Sequence, residues 1–305
     1  MAVLTTSDLS VPTQLIEPWL NNVSNGSVVS QLSQAVPMKF GAGEAFVFDI
    51  GEAEYVGEAA NKGASDITPT VQAVNPYKFH KTVRWTEEVL WADEDYQLGV
   101  ITEVLNQIQP ALSRALDYGV LHGVNPATGT RPSAMAEALT DTTNVVSTGS
   151  GVGVIDAADQ LVLAGGNVPS DIAMAPGFAG EFATLRDSDG RRVFPDLNLG
   201  ANVSTFDGHR AATSRTVSAD GVITGGSGIS AFVGDFSAVR WGIQKSIPLE
   251  VIRYGDPDGQ GDLKRNNQIA FRAEVVYGWG IADLSAFAKI ELAGGEDEGT
   301  EGGEG

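Results

Sequence analysis

Hydrophobic and polar residues alternate along the stretch "YKFHKTVRWTEEVLWAD", which runs from Tyr77 to Asp93. An alternation of period two predicts a β-strand with one apolar and one polar face. The apolar positions are Tyr77, Phe79, Val83 and Trp85, and the polar positions are Lys78, His80, Thr82 and Arg84. A helical pattern follows after only a brief turn, so the strand is expected to lead directly into a helix.

Two further strand-like runs, "EAFVFDI" and "AEYVGEA", precede this strand, and the polar tract "ANKGASDITPT" separates them from it. Together they predict an extended hairpin over residues 41–86. The hairpin contains no helical pattern that could cover either face. A two-stranded ribbon alone is marginal in water, so the sequence predicts that another subunit covers it.

A long amphipathic helix is predicted from Asp93 to Gly123, because apolar residues recur there at three- and four-residue spacing. Asp93 or Asp95 could cap its start, and Gly119 or Gly123 could end it. Pro110 lies inside the pattern and is expected to kink the helix or split it near Ile108.

Shorter elements follow the long helix. A second helix is predicted over Ser150 to Gly166, then a buried strand over Asp171 to Met174, then a helix with Phe178, Phe182 and Leu185 facing inward. Helices and strands mix without a regular strand–helix–strand repeat, which predicts an α+β fold. Residues 1–40 have few apolar positions, so they are expected to form an arm on a neighbouring chain; a frayed terminus is the alternative.

Charge and composition exclude several classes of protein. The 305 residues carry a net charge of −20, whereas nucleic-acid binding needs clustered Lys and Arg. The acidic stretch "GGEDEGTEGGEG" contributes five of those charges, through Glu296, Asp297, Glu298, Glu301 and Glu304. Cysteine is absent, which excludes disulfides and thiol chemistry. No signal peptide or membrane-spanning run is expected.

Motifs that would carry catalysis or bind a cofactor or metal are weak. His80, His122 and His209 have no nucleophile motif around them, and the phosphate-loop-like "GSGVG" lacks the required Lys. The loop "DPDGQGD" at residues 256–262 clusters three carboxylates without the spacing of an EF-hand. A polar loop is the preferred interpretation, and an incidental divalent-cation site is the alternative. We predict no catalytic residue, cofactor or metal.

The order of five sequence blocks resembles the major capsid proteins of tailed bacteriophages, which have the Hong Kong 97 fold. The extended hairpin and its return strand form the first block, and "PSDIAMAPGFAGEFATLRDSDGRRVF" forms the second. "TFDGHRAATSRTV", "FVGDFSAVRWGIQKSIPLEVIRYGD" and "NNQIAFRAEVVYGWGIADLSAFAKI" form the other three. The resemblance covers most of residues 10–292, and it rests on the order of the blocks because no single motif is decisive.

The resemblance implies a division of the chain into segments. These are an N-terminal arm (1–40), the extended hairpin (41–86), the spine helix with part of a peripheral domain (87–140), an axial domain (141–245), returning peripheral strands (246–280), a closing axial segment (281–293) and an acidic tail (294–305). No long charged helical segment precedes residue 40, so a separate scaffold or none is expected.

The resemblance also implies that the arm and the hairpin contact neighbouring subunits. The expected contact residues are Trp19, Lys62, Tyr77, Lys78, Phe79, Lys81, Arg84 and Trp85, with the basic ones facing acidic neighbours. Some relatives cross-link their subunits covalently. Here Glu274 would take a proton from Lys62, whose amine would attack the side-chain amide of Asn267 and release ammonia.

The sequence is therefore interpreted as a structural shell protein rather than an enzyme. It is expected to form hexamers and pentamers that close into an icosahedral virion shell around double-stranded DNA, without binding the DNA specifically. Scaffold, portal and decoration proteins are possible partners, assembly is expected in a bacterial cytoplasm, and no membrane is involved. An encapsulin-type compartment, a soluble enzyme with a dimerisation hairpin and a decoration protein remain the alternatives.

Overall fold

The computed structural model describes residues 27–49, 68–91, 94–197, 199 and 202–291. Trp19, Lys62 and the acidic tail lie outside these ranges. Across the described ranges, no helix combines the length and the apolar character needed to cross a membrane.

Strands and helices alternate irregularly along the chain, as an α+β fold requires. The α-helices of the described ranges are α1 (Val28–Leu32), α2 (Glu94–Asp117), α3 (Gly153–Ala164) and α4 (Pro176–Thr184). The strands are β1 (Gly43–Asp49), β2 (Thr68–Thr86), β3 (Val145–Val146), β4 (Asp171–Met174), β5 (Ser204–Phe206), β6 (His209–Thr213), β7 (Ala231–Gly234), β8 (Val239–Ile252), β9 (Gln268–Ile281) and β10 (Phe287–Ile290).

The first sheet is antiparallel and has the strand order β1-β2-β9-β8. Strand β2 takes part in two pairings along its length. Residues 68–74 pair with β1, and residues 75–86 pair with β9. The base of the predicted hairpin is thus continuous with a sheet of the protein body. The outward run "AEYVGEA" and the hairpin tip fall outside the described residues.

The second sheet has the order β3-β10-β7-β4-β6-β5 and mixes parallel with antiparallel pairs. Helices α3 and α4 pack against it around a core that includes Phe178, Phe182 and Phe206. The predicted strand over Asp171 to Met174 is confirmed. The prediction for Leu185 is wrong, because this residue follows the end of α4 and is 44% exposed.

Helix α2 is the predicted spine helix, and it runs through Pro110 without a break. The expected split near Ile108 is therefore wrong, whereas the alternative expectation, a kink at Pro110, stays a prediction. Ile108 and Leu112, on either side of the proline, are 1% and 2% exposed, so burial of this face stabilises the helix across the missing hydrogen bond. A π-helical turn at Tyr118–His122 extends it, and Gly123 ends it with a left-handed φ of 65°.

Residues 27–36 make contacts within their own chain, which corrects the expectation that the whole arm to residue 40 lies on a neighbour. Val28 and Val29 are fully buried. The amide of Val36 donates to the carbonyl of Trp241 at 2.7 Å, in a bridge to the edge of β8. Gly242 allows this approach, since a Cβ there would lie 2.1 Å from the Val36 carbonyl oxygen.

The carboxylate of Asp117 fixes the arm to the end of the spine helix. Ser27 Oγ donates to it at 2.5 Å, and the amides of Val28 and Val29 donate at 3.2 and 3.1 Å. Thr216 Oγ1 donates from a third segment at 2.7 Å. Burial raises the pKa of Asp117, and these four hydrogen bonds oppose the rise. One buried side chain thus joins the arm, the helix and the loop before residue 217.

Replacing Asp117 with alanine should destabilise the protein by about 3 kcal/mol, because two buried amides and two hydroxyls lose their acceptor. Urea unfolding followed by circular dichroism measures this change. The control is Glu103→Ala, which removes an exposed carboxylate of the same helix bonded to Gln107 Nε2 and should cost less than about 0.5 kcal/mol. Equal unfolding midpoints for the two variants would contradict the role of Asp117.

His122 lies buried at the end of the spine helix, and burial lowers its pKa to about 4. Its Nε2 lies 2.9 Å from the carbonyl oxygen of Thr216. Since the neutral ring prevails above that pKa, Nε2–H donates this bond. Nδ1 has no hydrogen-bond partner within the described part of the chain.

A lowered histidine pKa makes the fold sensitive to acid. Between the unfolded pKa of 6.5 and the folded pKa of about 4, the unfolded chain binds more protons, so stability falls as the pH falls. His122 should therefore account for a loss of roughly 3 kcal/mol across this window. Chemical denaturation of His122→Gln at several pH values should show a shallower loss than the wild type. The difference between the two proteins should stay constant above pH 7, and parallel curves below it would contradict the assignment.

Candidate assembly surfaces

The aromatic face of β2 is largely covered by its own chain. Phe79 is 9% exposed, and its ring lies 6.1 Å from that of Tyr277 and 6.2 Å from that of Trp279. Tyr77 stacks on Trp279 with ring centres 3.8 Å apart, and its hydroxyl donates to the carbonyl of Ala134 at 3.2 Å. The expectation that only another subunit covers this face is wrong for Phe79, because β9 and the spine helix supply its core.

Trp85, near the end of β2, is partly buried and packs against the same core as Phe79. Lys81 lies two residues after Phe79 and is exposed. Both side chains therefore keep solvent-exposed surface that a neighbouring copy could contact. The contact roles expected for Trp19 and Lys62 cannot be placed, because both residues lie outside the described ranges.

Lys78 forms an ion pair on the polar face of the first sheet. Its Nζ lies 2.6 Å from Glu274 Oε2, and its side chain remains 59% exposed. Glu274 itself is 9% exposed and stands opposite His80 in the β2–β9 register. The proposed cross-linking carboxylate therefore already has a cationic partner in its own chain.

The cross-linking residues do not converge within one chain. Asn267 is exposed at the start of β9, in a left-handed conformation with φ of 52°. Seven residues of extended strand separate it from Glu274, which corresponds to about 23 Å. An isopeptide bond to Lys62 would thus need Asn267 and Glu274 from different copies, and it stays a prediction.

Arg84 is held by the acidic loop of residues 256–262. Its Nε donates to the two Asp258 oxygens at 2.9 and 2.8 Å, and its Nη2 donates to Asp256 at 3.0 Å and to the Gly261 carbonyl at 2.9 Å. Nη1 donates to Gln268 Oε1 at 3.1 Å. The hydrogen bond from Arg84 lowers the pKa of Asp258. Only 12% of the Arg84 side chain is exposed, so its charge serves its own chain rather than an acidic neighbour.

In the loop of residues 256–262, the alternative divalent-cation site, the carboxylates of Asp256 and Asp258 therefore bind Arg84. Among the described residues, no group of His, Asp and Glu side chains is arranged to hold a metal ion. The histidines have separate surroundings. His122 contacts the backbone of Thr216, and His209 Nε2 lies 3.1 Å from Asp159 Oδ1 in the second sheet region.

Three large aromatic side chains that the sequence interpretation did not single out are exposed. Trp91 is 75% exposed at the end of the 3-10 turn Glu87–Trp91, Tyr254 is 69% exposed and Phe40 is 68% exposed. Exposed aromatic rings are typical of surfaces that become buried on association. The sequence itself could have indicated that Trp91 is exposed, because Trp91 lies beyond the alternating strand pattern that ends at Thr86.

The comparisons with known proteins agree on one family. The phage capsid family model matches residues 9–292. A chain in a solved structure from Mycobacterium phage Ogopogo is 40% identical, with a TM-score of 0.72 over 88% of this chain and 92% of that one. A chain from Gordonia phage Cozz is 31% identical, with a TM-score of 0.68 over 88% and 87% of the two chains. The probable major capsid protein gp17 of Mycobacterium phage D29 is 24% identical over 90% of this chain and 87% of its own length.

The family model matches nearly the whole chain, and the named relatives come from phages, so the chain is classed with the shell-forming proteins of phages. The chain belongs to the phage capsid family, and its α+β architecture is the Hong Kong 97-like fold.

Proposed function

We propose that this chain is the major capsid protein of a tailed phage and builds the virion shell from many copies of itself. The family match over residues 9–292 carries the proposal, and the 40% identical structural relative supports it. The copies would form hexamers and pentamers that close into an icosahedral shell. The two sheets would correspond to a peripheral domain, built on β2, β8 and β9, and an axial domain, built on β4, β6, β7 and β10.

Contacts between copies would involve side chains that the chain leaves exposed or partly exposed. Among the described residues these are Tyr77, Lys78, Lys81, Trp85 and Trp91. Trp19 and Lys62 lie outside the described residues and are proposed from the family resemblance alone. Phe79 and Arg84 are withdrawn from this set, because the core and the loop of residues 256–262 already engage them. Association would stabilise each copy by mass action, since apolar surface is buried only in the assembly.

The interior would hold double-stranded DNA without specific binding. A net charge of −20 repels a polyanion, which fits a container that does not grip its cargo. Assembly would take place in the host bacterial cytoplasm, with scaffold, portal and decoration proteins as possible partners. The encapsulin and enzyme alternatives are less favoured, because the relatives named above come from phages.

Expression of the chain alone should give closed shells or hexameric rings in the largest size-exclusion fraction. Negative-stain electron microscopy of that fraction is the measurement. A single species of dimer size or smaller, unchanged by protein concentration and by candidate scaffolds, would contradict the proposal and favour the enzyme alternative.

Trp91→Ala should reduce assembly without weakening the fold, because the ring is mostly outside the chain's own core. Loss of a large aromatic contact costs about 1–3 kcal/mol per interface, so the assembled fraction should fall at least fivefold at limiting concentration. Analytical ultracentrifugation measures the assembled fraction, and thermal unfolding should stay near the wild-type midpoint.

The matched control is Trp85→Ala, which removes the same side chain from a position packed against the core and should lower the unfolding midpoint. Normal assembly by Trp91→Ala would show that Trp91 is not at an interface.

A further inference from the structure

An open cleft of about 790 Å³ lies between the first sheet and the spine helix. Residues 78–82 of β2 form one wall, and residues 111–118 of the spine helix form another. Loops at residues 125–135 and 220–222 close the far side. The floor includes Phe79, Leu112 and Met135, which are buried, so the cleft has an apolar base and a charged rim.

The rim is basic although the chain as a whole is strongly acidic. Lys81, Arg114 and Arg215 line the cleft, and among the described residues no carboxylate lies within ion-pair distance of them. Burial raises the pKa of Tyr118, another residue that lines the cleft, and the positive charges of Arg114 and Arg215 oppose the rise.

The remaining ionisable groups on the rim change its net positive charge little. Lys78 is paired with Glu274, and Asp258 is paired with Arg84. Asp220 accepts a hydrogen bond from Ser218 Oγ at 2.7 Å and is the carboxylate that opposes an incoming anion. His80 is exposed on the β2 wall. Lys81, Arg114 and Arg215 thus remain without an ion-pair partner among the described residues.

The shape of the cleft fits an extended chain. Residues 75–86 pair only with β9, so within the described ranges their other edge has no strand partner. Five consecutive residues of this stretch line the cleft. Such an edge offers main-chain hydrogen bonds to an extended segment, and its lysine favours an acidic one.

The chain itself contains a segment of matching charge. Residues 294–305 carry five carboxylates and no Lys or Arg. They follow β10, where Lys289 Nζ donates to the carbonyl of Thr140 at 2.9 Å. The next residue, Asp141, pairs with Arg131, whose Nε donates at 2.9 Å to the carbonyl of Met135 in the cleft. Fourteen residues from 292 to 305 can span up to about 45 Å, and the contacts just named lead from β10 to the cleft in three steps.

We propose that the acidic segment of residues 294–305 binds in the cleft of its own chain, with its carboxylates paired to Lys81, Arg114 and Arg215. Binding would cover the open edge of β2 and neutralise the basic rim. The proposal does not depend on shell assembly.

Cysteine cross-linking tests this directly, because the natural chain contains no cysteine. Thr300→Cys in the segment is combined with Ala127→Cys, an exposed position that lines the cleft. Mild oxidation of the full chain should give an internal disulfide, seen by mass spectrometry and by gel mobility at monomer mass. Raising the salt to 0.5 M should lower the yield, because exposed ion pairs are screened.

The decisive comparison removes the three cations. In the Lys81→Gln, Arg114→Gln, Arg215→Gln background the yield should fall at least fivefold. The matched control, Lys39→Gln, Arg191→Gln, Arg192→Gln, removes the same charge from exposed residues outside the cleft and should leave the yield unchanged.

Three results would each overturn the proposal. The first is an equal yield in the two triple variants. The second is a product at dimer mass only, which would place the segment on another copy. The third is failure of the internal disulfide to form when an equimolar double-stranded DNA oligonucleotide is present during oxidation, which would assign the cleft to nucleic acid.

Discussion

The buried carboxylate of Asp117 is the constraint on which the arrangement of the other elements depends. It takes hydrogen bonds from the arm and from the loop that carries Thr216, and it does so at the end of the spine helix. Burial of an acceptor with four donors is tolerable only when all of them are in place. The arm from residue 27 onward, the helix and the loop must therefore come together, and this fixes where β1 leaves the body.

Strand β2 connects the fixed part of the protein to the hairpin. Its residues 75–86 are locked to β9, and its residues 68–74 carry β1 beyond the body. A hairpin whose base is part of a buried sheet is aimed in a defined direction, whereas a hairpin on a flexible linker is not. In the proposed shell, a base fixed relative to the subunit core would direct the hairpin toward one neighbouring copy.

The sequence predicts the helices and strands well, but it does not predict which residues cover their apolar faces. Alternation predicted β2, and spacing predicted the spine helix, because both patterns are local. The same patterns cannot say which chain covers an apolar face. Phe79 was expected to pack against a neighbour, but it packs against Tyr277, a residue almost 200 positions later in the chain. Likewise, the charge of Arg84 gave no sign that Asp256 and Asp258 would bind it, since that pairing depends on how the loop folds back over β2.

The basic residues discussed above fall into two groups, those that form ion pairs within the fold and those that line the cleft. Although the chain has 39 acids and only 19 Lys and Arg residues, only some of the described cations form an ion pair with a described carboxylate. Arg84, Arg131 and Arg210 do so within the fold, where they tie loops and strands together. Lys81, Arg114 and Arg215 line a shared cleft, and no carboxylate of the described residues lies within ion-pair distance of them. The proposed acidic segment would supply these three cations with carboxylate partners, so the cleft would serve binding rather than the structural framework.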